Sequence, residues 1–222
     1  MKAPAAPPKL VELVQDAILA EIASGKLAPG ARIMQERIAQ ELGVSGQPVQ
    51  QALQVLHNLG VLCEAPGHGL QVAPLDLDHV RNMYDVRAVL EGLAFRKAAE
   101  RNATRAAGEG PALIAAGRRA VASGKVADMI EADMAFHEFI YELSGNPLVA
   151  PAIEAHWTHT QRVMGEVLTR DEKPRDIWDQ HEALLQAVVD GDGQRAEKLA
   201  RKHIDQSADF MIERLRREAG RP

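Results

Sequence analysis

The segment from Gln35 to Val72, QERIAQELGVSGQPVQQALQVLHNLGVLCEAPGHGLQV, restricts what this chain can fold into more than any other. Ile38, Ala39 and Leu42 recur at helical spacing, Gly43 suits the left-handed turn that stops a helix, and Ser45 suits the start of the next. That second helix is expected from about Gly46 to Leu59, with Val49, Ala52, Leu53, Leu56 and Leu59 as its buried stripe. Pro48 falls in its first turn, where a missing N–H is tolerated, and Gly60 ends it. A hairpin then follows, Val61–Glu64 and Leu70–Ala73, around the tip Pro66-Gly67-His68-Gly69. Upstream, Leu10–Ser24 reads as a first helix, and Ala31–Ile33 as a short strand that joins the hairpin. This is the pattern of a winged helix-turn-helix, whose second helix keeps one face free for a DNA groove.

Charge complicates that expectation. The chain of 222 residues carries a net charge of −5, and residues 1–74 hold five Lys and Arg against six Asp and Glu. Non-specific affinity for duplex DNA comes mainly from basic side chains that displace counterions from phosphates, so such a head binds non-specific DNA weakly. Apolar residues make up 46%, enough for two cores. No apolar run approaches the roughly 20 residues of a membrane span, and MKAPAAPPKL lacks a signal core, so a cytoplasmic protein with no membrane partner is expected. The single cysteine, Cys63, excludes an internal disulfide framework and reads as a buried thiol.

After Pro74 the pattern changes to long helices, expected at about 76–104, 110–123, 125–144, 147–170, 173–190 and 193–218. Gly108–Pro111, Ser123–Gly124, Ser144–Pro147, Lys173–Pro174 and Gly191–Gly193 supply the breaks, and connections this short favour antiparallel neighbours. The expected fold is mainly α: disordered residues 1–9, a winged helix-turn-helix over 10–74, and an all-α antiparallel six-helix bundle over 75–222.

Within the bundle, Asp133 and His137 stand four apart on the apolar face marked by Ile130, Met134, Ile140 and Tyr141. His181 sits among Ile177, Leu184, Leu185 and Val188, and His203 among Ala196, Leu199, Ala200, Phe210 and Met211. Both histidines lie eleven residues from Asp192, so a helical hairpin turning there sets them at one level. Taken singly, each histidine reads as a hydrogen-bonded core residue. Together, three imidazoles and a carboxylate form a donor set for a divalent transition metal, which removes the cost of burying them unpaired. Imidazole suits zinc, nickel, cobalt, copper or iron, and the Asp admits manganese; zinc is the first expectation. His156 and His159 flank Trp157 and stay outside the expected ligand set.

The head segment GKLAPGARIMQERIAQELGVSGQPVQQALQVLHNLGVLCEAPGHGLQV resembles the winged helix-turn-helix of GntR-family bacterial regulators. The stretches YDVRAVLEGLA, ADMAFHEFIYELSGNPL and HEALLQAVVDGDGQRAEKLARKHI resemble the ligand-sensing FCD domain of the FadR branch, and six bundle helices resemble its VanR subgroup. The resemblance implies a homodimeric regulator that binds operator DNA and a small carboxylate effector, often through the metal. Arg87, Arg162 and Asn146 stand at family pocket positions, although Arg87 also has a plainer role open to it, pairing with Glu91, and Asn146 a plainer one as a helix cap. Arg32 matches a DNA-contacting arginine, Ser45 opens the recognition-helix motif, and Gly67-His68-Gly69 forms the wing tip.

One departure matters. The family writes Ser-Arg-x-Pro-Val-Arg where this chain has Ser45-Gly46-Gln47-Pro48-Val49-Gln50, so both arginines are absent. Gln47, Gln50, Gln51 and Gln54 are left to hydrogen-bond adenine edges. The loss also leaves open a metal or metabolite sensor that no longer binds DNA specifically. A metal-dependent hydrolase with Glu138 or Glu182 as base is disfavoured, because helical neighbours of a ligand point about 100° away from it.

Overall fold

The computed structural model describes residues 8–170 and 177–219 and divides after Leu75 into two compact units. In the first, α1 (Pro8–Ala23), α2 (Gln35–Leu42) and α3 (Gly46–Asn58) precede β1 (Leu62–Glu64) and β2 (Leu70–Val72). Helix α1 thus begins two residues before the expected Leu10; residues 1–7 lie outside the described residues. Val14, Ile18 and Ile22 of α1 meet Val49, Leu53 and Leu56 of α3 and Val72 of β2 in one core. Gly43 ends α2 with φ of 65°, and the Val44 N–H closes the turn on the Ala39 carbonyl at 3.0 Å.

Two local expectations change here. Ser45 has the extended backbone of an N-cap, but its side chain makes no capping bond. Instead the Gln35 side-chain amide donates to the Gly46 carbonyl at 3.0 Å and ties the starts of α2 and α3 together. The strand at Ala31–Ile33 shrinks to a single bridge, Arg32 with Gln71, flanked by Ile33 N–H to the Leu70 carbonyl at 2.9 Å. The strands pair antiparallel, Leu62 with Val72 and Glu64 with Leu70. Cys63 is half-buried rather than buried and accepts from the Gln71 side chain at 3.7 Å.

The second unit comprises α4 (Leu77–Ser123), α5 (Val126–Ser144), α6 (Val149–Arg170), α7 (Ile177–Val189) and α8 (Gly193–Ala219). Helix α4 packs against α5, α7 and α8. The break expected at Gly108–Pro111 lies instead at Asn102, whose φ of −137° and ψ of 33° divide α4 into two helical segments. Among the described residues six helical segments are thus present, differently punctuated. Side-chain chemistry explains the shift. The Asn102 amide donates to the Leu143 carbonyl at 2.7 Å, and Arg101 Nη1 to the Ser144 carbonyl at 2.9 Å, so the bend satisfies two carbonyls at the end of α5. Gly110 and Gly117, seven residues apart on one face, are packing glycines: a Cβ would meet Leu185 at 2.4 Å and Trp178 at 1.9 Å. The expected helix start at 173 falls outside the described residues.

Helices α7 and α8 turn on Gly191, with φ of 71°, and the Asp192 carboxylate accepts from the Arg195 N–H at 2.9 Å to cap α8. Among the described residues no helix is long and apolar enough to cross a membrane.

Candidate functional site

Helix α5 places Asp133 and His137 one turn apart, and the hairpin of α7 and α8 brings His181 opposite His203. The ring nitrogens His181 Nε2 and His203 Nε2 are 3.2 Å apart. Among the described residues, His137, His181 and His203 are the one group of three metal-binding side chains whose ligand atoms all lie within 4.8 Å of one another. All three are buried. Asp133 stands at the edge of this group, its Oδ1 3.5 Å from His181 Nε2.

The other ring nitrogens decide which ones face inward. His137 Nδ1 lies 2.5 Å from Glu91 Oε2, and His203 Nδ1 lies 3.0 Å from Gln180 Oε1. Gln180 can only accept through that oxygen, so His203 Nδ1 carries the proton and Nε2 keeps its lone pair. His181 Nδ1 is buried without a hydrogen-bond partner among the described residues.

Charge in the pocket is arranged around a fixed ion pair. Arg87 Nε and Nη2 reach Glu91 Oε1 at 2.9 and 2.8 Å, and Arg87 Nη1 donates to Thr160 Oγ1 at 3.2 Å. The guanidinium also lies 5.0 Å from the centres of the Tyr84 and Trp157 rings. Burial favours a neutral Glu91, yet His137 and Arg87 outweigh it and hold the carboxyl down at about 2. Burial opposes charge on His137 as well, but Glu91 outweighs it and raises that imidazole. Burial lowers His181 well below its ordinary value, reinforced by His203 and His137, and lowers His203 to about 3. Both are therefore neutral near pH 7 and free to donate lone pairs. Burial also raises Asp133.

These groups open on a cavity of about 640 Å³ whose lining includes Arg87, Asp133, His137, Gln180 and His203. Arg87 both lines the cavity and pairs with Glu91. Arg162 is buried on α6 but is not part of the lining, and Asn146 accepts from the Leu148 N–H at 3.1 Å at the start of α6, also away from the cavity. His159 packs edge-on to His79 at 5.0 Å, and neither it nor His156 joins the three-imidazole group. Glu138 is exposed, and Glu182 pairs with Arg118 at 2.8 Å on the surface, so neither faces the cavity. Glu91 and Gln180, which position two of the imidazoles, escaped the sequence reading. The signal for Glu91 was its place one turn after Arg87, where a bland surface pair was the competing explanation.

On the head, Gly46, Ser45, Gln50 and Gln54 are exposed on α3, while Gln47 and Gln51 are half-buried. Helix α3 contains no Lys or Arg. Arg32 Nη2 donates to the Pro66 carbonyl at 2.5 Å and so braces the wing, whose tip Gly67, His68 and Gly69 is exposed. Positive φ at Gly67 and Gly69, 92° and 85°, shapes that tip.

A DNA-reading head followed by a helical sensing domain defines a transcription regulator. Residues 10–72 match the bacterial regulatory proteins of the gntR family and residues 82–206 match the FCD domain, and the chain belongs to the GntR family with an FCD domain. It is 28% identical to a probable D-xylose utilization operon transcriptional repressor of Paenarthrobacter nicotinovorans, over 86% of this chain and 84% of that one. It is 23% identical to the HTH-type transcriptional repressor RspR of Escherichia coli K12, over 86% and 84%. Its fold matches E. coli McbR/YncC with a TM-score of 0.80 at 22% identity, covering 92% of this chain and 97% of that one. The families and relatives are regulators rather than enzymes, which sets the hydrolase reading aside.

Proposed function

We propose that this regulator binds a divalent metal, zinc first, through His137, His181 and His203 with Asp133 as the fourth ligand, and that a small carboxylate effector docks beside it. The observation that carries this reading is the convergence of three buried imidazoles, two of which, His137 and His203, line a cavity of about 640 Å³ together with Asp133. Zn–N bonds of 2.0–2.1 Å in a tetrahedron separate ligand nitrogens by roughly 3.3 Å. The His181–His203 separation of 3.2 Å and the Asp133–His181 separation of 3.5 Å fit that edge. When bound, the metal supplies a Lewis-acidic position for an anionic oxygen. Glu91 and Gln180 hold two of the imidazoles by their outer nitrogens, the arrangement that fixes ring orientation in metal sites. Arg87 presents the cation beside which a carboxylate settles, while Arg162 and Asn146, outside the lining, are not assigned to the effector.

Metal analysis and melting curves test the site. Dialysed full-length protein is expected to retain or rebind about one equivalent of zinc per chain and to melt higher with it than without, since a ligand held at about 1,000 times its Kd adds roughly 4 kcal/mol. His203→Ala is expected to abolish both effects. Equal melting of apo and zinc-loaded wild type would overturn the proposal.

The head is read as an operator-binding module of a cytoplasmic homodimer. Its base contacts are assigned to Gln47, Gln50 and Gln51, with Ser45 and Arg32 as further DNA contacts and the tip Gly67-His68-Gly69 at the minor groove. The effector is read as shifting the dimer so that the spacing of the two heads changes. Gly46→Arg with Gln50→Arg is expected to raise non-specific DNA affinity and to steepen the salt dependence by up to about 0.9 in log–log slope for each new phosphate contact. A Cβ at Gly46 would come 3.3 Å from the Gln35 amide nitrogen, the movable end of a side chain, so the substitution is tolerated. A gel-shift titration across a salt series reads the change. Wild-type protein that forms no specific complex with its own upstream DNA would favour instead a sensor acting through another protein.

A further inference from the structure

We propose that the effector is a monocarboxylic acid with an extended apolar body, a medium-chain alkanoic or aryl-alkanoic acid, rather than a polyhydroxylated or multiply charged one. This rests on the reading of the cavity as the effector site.

The lining changes character with distance from the imidazoles. On α8 the lining positions are His203, Ile204, Gln206, Ser207, Phe210, Met211 and Arg214, a stripe along one side of the helix. Eleven residues at 1.5 Å rise make this stripe roughly 16 Å long. On α5 the lining runs from His137 through Asp133 to Met129, and α6 adds Met164 and Leu168. Arg87 and the imidazoles thus lie at one end and Arg214 at the other, with Gln206 and Ser207 between them on α8, while Met129, Met164, Leu168, Phe210 and Met211 supply much of the remaining wall. Methionines adapt to a flexible or irregular apolar guest.

Electrostatics set the number of charges. Glu91 already neutralises Arg87, and Asp133 adds a further carboxyl on the wall, so the metal and Arg87 accommodate one new carboxylate. At the far end the Arg214 guanidinium lies 5.0 Å from the centre of the Phe210 ring, covering an aromatic face. A sugar acid would bury hydroxyls against Met129, Met164 and Leu168, where they find no partners. A two- or three-carbon acid would leave most of 640 Å³ without contacts.

The test is calorimetric titration of zinc-loaded full-length protein with acetate, butanoate, hexanoate and octanoate below their micelle thresholds, and with citrate and gluconate. Affinity is expected to rise about fourfold for each added methylene as the chain leaves water, or roughly 250-fold from butanoate to octanoate. Phe210→Ala, at a half-buried position, is expected to lower octanoate affinity at least fivefold while zinc content and butanoate binding stay unchanged. A flat chain-length series, or tighter binding of citrate or gluconate, overturns the inference and leaves the carboxylate-effector reading standing. Absence of binding by every acid in the set overturns both.

Discussion

Replacing Glu91 with alanine is expected to destabilise the helical domain by about 3–5 kcal/mol, the cost of stranding a buried charge whose partner has been removed. Glu91 is fully buried, and Arg87, 3% exposed, would be left with Thr160 Oγ1 and two aromatic faces in place of a carboxylate. Urea unfolding of apo protein measures the loss. Its pH dependence identifies the cause. The Glu91 carboxyl falls from an ordinary value of 4.5 to about 2 on folding, so the unfolded chain binds the extra proton and acid favours unfolding. The stability gap between wild type and Glu91→Ala should be full between about pH 4.5 and 6.5, should narrow as pH falls toward 2, and should narrow again as pH rises through the raised value of His137, which Glu91 supports. A gap that stays constant through that window would mean that Glu91 acts by packing alone. Glu91→Gln separates the roles further: it preserves volume, removes the charge beside His137, and should weaken zinc binding about 10- to 100-fold as loss of an outer-shell partner does.

The second large effect has a sign opposite to the one helix propensity gives. Gly117→Ala should gain about 1 kcal/mol from propensity inside α4. Its Cβ, however, would lie 1.9 Å from Trp178 Cε2 and Cζ2, and that indole is 2% exposed and packed edge-on to Phe136. Forcing extra volume into a packed core costs about 1–3 kcal/mol, and displacing a rigid indole belongs at the upper end. A net loss of about 2 kcal/mol is expected, a fall in Tm of roughly 4–8 °C for a chain of this size. Gly108→Ala is the control. Nothing lies within 4 Å of a Cβ there, so this exposed position should gain up to about 1 kcal/mol. Loss of stability in Gly108→Ala would argue that α4 is broken at Gly108, as its sequence suggests, rather than bent at Asn102.

The contrast between those glycines shows where sequence was readable. Apolar spacing, the Gly43 turn and the two-domain change of pattern after Pro74 are local signals, and they located the head helices, the wing and the bundle. The eleven-residue spacing of His181 and His203 about Asp192 was likewise local, because a tight antiparallel hairpin converts sequence distance into level. Gly108, Gly110 and Pro111 read as a turn because glycine and proline mark turns when nothing else is known. The place of Gly110 in a helix depends on Leu185, 75 residues further on, and that of Gly117 on Trp178, 61 residues further on, side chains that need the space. Glu91 and Gln180 were hidden for a similar reason: each is an ordinary polar residue until a histidine from another part of the chain arrives beside it. Asn146, at a family pocket position, sits instead at the start of α6, where the local chemistry of a cap is met.

Loops between helices ordinarily absorb insertions and deletions, since they run over the surface and bury little. The turn at Gly191–Gly193 has no such freedom. One residue added there would swing His203 by about 100° around α8 relative to His181, and one removed would swing it back by as much. Divergence among related regulators should therefore accumulate within the helices bordering the cavity, where effector choice is set, while the length of this short connection is held constant like a gauge between two jaws.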